Sequence, residues 1–101
     1  MNTDDLIKHS RARFDHATAR RTLKEKYQAK MIFAHAGGMW RAGPELLNTL
    51  NVCPDPTAVL LDLYENPVQV DAHELYALAQ HRWQEQMNAW LADFEEQSKN
   101  R

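Results

Sequence analysis

Residues 3–36 contain no glycine and no proline, which is about a third of a 101-residue chain written without either of the two strongest helix breakers. Thr3 or Asp4 can cap the start of this stretch, and Asp4 and Asp5 suit the positive end of a helix dipole. Ala12, His16, Ala19, Leu23, Tyr27, Met31 and Ala34 recur at spacings of three and four, so they share one stripe. The stripe predicts a helix of about thirty residues, bounded within residues 1–36 and stopped by Gly37 and Gly38, since glycine just past the last periodic residue is a common helix end. At ~1.5 Å per residue it would run ~45 Å. A 100-residue globule has a radius of gyration of only ~13 Å. The N-terminal half is therefore expected to overhang the body.

After the glycines, residues 38–42 read as a short strand, and Gly43-Pro44 opens a new helix with proline at the first position, where its missing N–H costs nothing. Leu46, Leu47 and Leu50 give that helix an apolar side, and the two prolines of NVCPDPT end it. In AVLLDLYENPVQVD, Val59, Leu61 and Leu63 alternate with Leu60, Asp62 and Tyr64, and Val68 and Val70 flank Gln69, which is strand periodicity on both sides of a Glu-Asn-Pro turn and the pattern of a β-hairpin. Its strands are expected at residues 57–64 and 67–70, with Val68 and Val70 facing the core. Asp71 then caps a last helix, and Glu74 three residues later completes the spacing of a capping box. Tyr76, Ala79, Trp83, Met87, Trp90 and Phe94 follow at helical spacing, widened by Leu75, Leu78 and Leu91.

The expected fold is α+β and mostly α: one domain over residues 1–101, ordered α-β-α-β-β-α, with residues 37–101 as a compact body. Residues 38–42, 57–64 and 67–70 would form a small three-stranded antiparallel sheet beneath the C-terminal helix.

One cysteine, Cys53, excludes an intrachain disulfide framework, and no run approaches the ~18 apolar residues of a membrane span. The N-terminus lacks the apolar core of a signal peptide. These features predict a soluble, cytoplasmic protein, in the host cytoplasm if it is viral. HAGGMWRAGPE matches neither the P-loop nor the dinucleotide fingerprint. His9, His16, His35, His73, His81 and Cys53 lack the tight pair spacing of zinc ligands, so no metal and no cofactor are expected. No serine or cysteine sits in a nucleophile motif, and no catalytic residue is assigned.

The net charge of −2 conceals a dipole. Residues 1–30 hold eight Lys/Arg against four Asp/Glu, a net of +4, and the remainder holds four against ten, a net of −6. A basic segment of this kind meets either an acidic protein surface or a polyanion. Arg11, Arg13, Arg20, Arg21 and Lys24 are the candidate polyanion contacts, and the expected element order resembles a winged-helix module. However, PELLNTLN, where a recognition helix would lie, carries no lysine or arginine.

The segments NPVQVDAHELYALAQHRWQEQMNAW and GGMWRAGPELL resemble small uncharacterised proteins encoded by tailed bacteriophages, especially those of marine cyanobacteria. The resemblance covers roughly residues 33–94 and implies an accessory or virion-assembly role, with no functional residues to carry over.

The reading is of a non-catalytic homo-oligomeric interaction protein. Its expected interface comprises Ala12, His16, Ala19, Leu23, Tyr27, Trp83, Met87 and Trp90, and its partner is a second copy or another protein with an acidic helix. The alternative is a nucleic-acid-binding regulator that uses the basic N-terminal helix.

Overall fold

The protein, seen in a computed structural model, is described over the backbone of residues 3–99 and the side chains of residues 16–99. Helix α1 (Thr3–Lys30) leads into the hairpin β1 (Ile32–His35) and β2 (Gly38–Arg41), then α2 (Pro44–Asn51), the hairpin β3 (Thr57–Leu61) and β4 (Pro67–Asp71), and α3 (Ala72–Lys99). The class is α+β and mostly helical. The order is α-β-β-α-β-β-α rather than α-β-α-β-β-α.

The added strand is β1. The first helix ends at Lys30, not at Gly37, and Met31 already takes part in the hairpin, its carbonyl accepting the N–H of Ala42 at 2.8 Å. Antiparallel pairing runs from Ile32↔Arg41 to His35↔Gly38. The two residues left between the strands, Ala36 and Gly37, have φ of 53° and 83°, the positive pair that a type I′ turn demands. The glycine pair thus serves a hairpin. Gly37 supplies the turn conformation. Gly38 supplies closeness, since a Cβ there would lie 3.1 Å from Val68 Cγ2 and 3.2 Å from Asp62 Cβ.

The expected three-stranded sheet is instead two separate two-stranded sheets, β1-β2 and β3-β4. Strand β3 stops at Leu61 because the next residue turns its side chain to the neighbouring hairpin. The Asp62 Oδ2 atom accepts the Met39 N–H at 3.1 Å, and Met39 O accepts the Leu63 N–H at 2.7 Å. A carboxylate stands where a ladder carbonyl would have been.

Strand β4 passes into α3 without a loop. Asp71 Oδ1 accepts the N–H groups of His73 at 2.9 Å and Glu74 at 3.0 Å, which is the expected cap. In β4 the register pairs Ala58↔Val70 and Leu60↔Val68, so Val70 is buried while Gln69 faces out. The core joins Trp40, Leu50, Val70, Ala72 and Leu75. Met31, Ala42 and Ala79 form a second buried cluster beside it. Trp40 keeps its indole N–H satisfied by donating to His35 O at 2.9 Å.

Candidate functional site

Helices α1 and α3 pack antiparallel. Arg82 Nη1 approaches Lys30 O at 3.4 Å, Tyr27 stacks on Trp90 with ring centroids 5.9 Å apart and planes at 9°, and Lys26 Nζ meets Asp93 Oδ2 at 3.0 Å. Leu23 lies beside Asp93 and Gln97 around a shallow hollow. Residue numbers rise in one helix as they fall in the other, so the last turns of α3 stand opposite Leu23 and Thr22. Helix α1 continues from there to Thr3, about 29 Å further at ~1.5 Å per residue. The molecule accordingly measures 65 × 25 × 21 Å.

The seam between the helices carries a small charged cluster. The Tyr27 hydroxyl donates to Asp93 Oδ2, which also receives the Lys26 ammonium. The hydrogen bond from Tyr27, then that from Lys26, holds the Asp93 carboxyl below its ordinary range. The same bond to Asp93 raises the Tyr27 hydroxyl, and Lys26 is raised chiefly by its own hydrogen bond to Asp93. Stacking, ion pair and hydroxyl bond together join α1 to α3 at this seam.

On one side of this seam opens a groove of about 780 Å³. Trp83, Met87 and Trp90 of α3 form its floor, Gln28 and Met31 of α1 one wall, and Leu46, Leu60 and Leu63 the other. Arg41 and Glu45 stand at its rim. Beyond it along α3, Leu91 is 56 % exposed and Phe94 38 % exposed. Leu91 follows Met87, and Phe94 follows Trp90, by one helical turn, so the apolar floor runs out of the groove onto open surface.

Of the residues expected at an interface, Leu23 and Tyr27 are 6 % and 3 % exposed, buried against α3 of the same chain. His16 and Ala19 are half-buried on the continuation of their stripe, N-terminal to the last α3 contact among the described residues. Trp83, Met87 and Trp90 are half-buried along the groove. The side chains of Ala12, Arg11 and Arg13 lie outside the described residues. Arg20, Arg21 and Lys24 are exposed, and none joins an ion pair among the described residues.

Sequence reasoning missed Asp62, Asp93, Lys26 and Arg41. Asp62 carries a detectable signal in retrospect, as an aspartate opening the loop DLYENP, where aspartate side chains take backbone N–H groups. Its Oδ1 accepts Tyr64 N at 3.0 Å and Asn66 N at 2.9 Å. The Asn66 contact and then the Met39 contact lower its carboxyl below the usual range.

Among the described residues no group of three or more His, Cys, Asp or Glu is placed to hold a metal ion, and no helix is long and apolar enough to cross a membrane. No family model matches the chain, and neither a curated protein nor a solved structure matches it.

Proposed function

We propose that this chain is a small non-catalytic interaction protein that works as a homo-oligomer, with its long first helix and the groove beside it as the contact surfaces. The observation that carries the reading is the mismatch between α1 and α3. Helix α1 runs on for about 29 Å past Thr22 at ~1.5 Å per residue, beyond the last of its contacts with α3 among the described residues. Isolated helices are marginal in water without packing. Half-buried His16 and Ala19 continue the stripe that Leu23 and Tyr27 bury, so the same small-residue track is offered to another helix. An assembly or host-takeover role in a bacteriophage agrees with the resemblance of residues 33–94 to phage proteins.

A second reading is favoured by one specific feature. Arg20, Arg21 and Lys24 are exposed on α1 without ion pairs among the described residues, and a row of free cations on a projecting helix suits phosphate neutralisation. The overall pI near 6.2 and the absence of cations from α2 count against it.

Light scattering of the full chain at micromolar concentration tests the first reading. A mass at least twice the 11.7 kDa of the chain is expected, and a constant monomer mass overturns it. Fluorescence anisotropy with labelled single- and double-stranded DNA and RNA tests the second. Binding that weakens linearly in log K against log salt would establish it.

A further inference from the structure

We propose that the groove is filled by α3 of a second copy, laid antiparallel across it. Leu91 of each chain then seats on Met87 of the other, and Glu95 of each meets Arg41 of the other. The proposal rests on the self-association argued above and gives it a surface and a register.

Three observations lead to it. First, the apolar floor formed by Trp83, Met87 and Trp90 does not stop at the groove but continues as exposed Leu91 and Phe94. A helix face that is both receptor and insert is what an isologous two-fold contact requires. Second, the register follows from helical geometry. An antiparallel crossing centred between Met87 and Leu91 places Leu91 opposite Met87 twice, Phe94 opposite the Trp83 end of the groove, and residue 95 level with residue 83.

Third, the charges fit that register. Arg41 lines the groove together with Trp83, is exposed, and makes no ion pair among the described residues. Glu95 stands one turn after Leu91, exposed and likewise unpaired among the described residues. The neighbouring carboxylate Asp93 is not available for this role, since Lys26 and Tyr27 already occupy it. Two symmetric Arg41–Glu95 pairs at the rim would set the register of an otherwise slippery apolar contact.

The test is sedimentation equilibrium or light scattering of the full chain over a concentration series, with circular dichroism as the folding control. Leu91→Asp and Phe94→Asp alter exposed side chains, so folded protein with dimerisation weakened more than tenfold is expected. Arg41→Glu weakens the dimer about tenfold by placing like charges together, and adding Glu95→Arg to it restores the dimer. A dimer that Leu91→Asp leaves intact while Ala19→Glu dissolves it overturns the α3 register and leaves self-association through α1 standing. Failure of the charge-reversed double variant to recover overturns the Arg41–Glu95 pairing. A wild-type chain that stays monomeric overturns both the register and the reading beneath it.

Discussion

Asp62 reaches from the loop after β3 to accept the backbone N–H of Met39 in β2, and with the Leu63 N–H that donates to Met39 O this bond ties the two hairpins together. One oxygen serves Met39 while the other serves Tyr64 and Asn66, so both acceptor atoms are engaged by donors.

Asp62→Asn should therefore destabilise more than its size suggests. An amide presents one acceptor and one donor, and its NH₂ must face a backbone N–H whichever way it is turned. A lowered melting temperature relative to wild type at pH 7 is expected. Because the folded-state pKa of Asp62 lies below the unfolded value of ~3.9, its contribution is present above that pH and lost as pH falls through the folded value. Asp93 acts in the same direction. Acid unfolding monitored by tryptophan fluorescence should be less steep in Asp62→Asn than in wild type, and equal profiles would count against this account.

Tyr27→Phe isolates the seam. The stack on Trp90 survives but the hydroxyl bond to Asp93 does not. Tyr27 and Lys26 both have raised pKa values, so their contributions are complete below unfolded values of ~10 and are lost as pH rises through the folded values. Urea unfolding at neutral and strongly alkaline pH should show a smaller alkaline loss in Tyr27→Phe. An undiminished loss would place the alkaline sensitivity elsewhere.

The β4 register predicts a sharp contrast between neighbours. Val70 is 2 % exposed, and Val70→Asp should cost roughly 3 kcal/mol or more because the charge would have no partner. Gln69 points outward beside Val59, and Gln69→Asp should cost under about 1 kcal/mol. Thermal melts of the two variants decide it.

Glu65 holds a φ of 64°, a left-handed conformation that side chains resist. Glu65→Gly should stabilise the chain, by roughly 0.5–1 kcal/mol, since glycine adopts this backbone without steric cost. A drop in the denaturant midpoint would mean that the Glu65 side chain makes a compensating contact.

What could be read in advance divides by distance along the chain. The cap at Asp71, the Trp83–Met87–Trp90 stripe and the inward Val68 and Val70 depend on neighbours within a few residues, and their spacing revealed them. Strand β1 was hidden because Ile32, Phe33 and Ala34 continue a helix-compatible run, and the pairing of Ile32 with Arg41 that converts them is a tertiary choice. The Ala36-Gly37 turn was the available clue, a glycine-bearing two-residue loop between short apolar segments. Local pattern also cannot anticipate that Asp62 would replace a third-strand ladder bond. The groove draws its walls from α1, α3, α2 and the loop after β3, and no single segment announces it.

The slender outline of the molecule has a hydrodynamic consequence. Its Cα radius of gyration is 19.2 Å, against ~13 Å for an evenly rounded chain of this length. Friction grows with elongation at fixed mass, so even a single copy must tumble and diffuse slowly and elute early from a sizing column. Elution volume would then mistake shape for mass. Rotational correlation times would be unequal about the long and short axes, and that anisotropy would fall if a second chain lay alongside the first, or rise if it extended the rod.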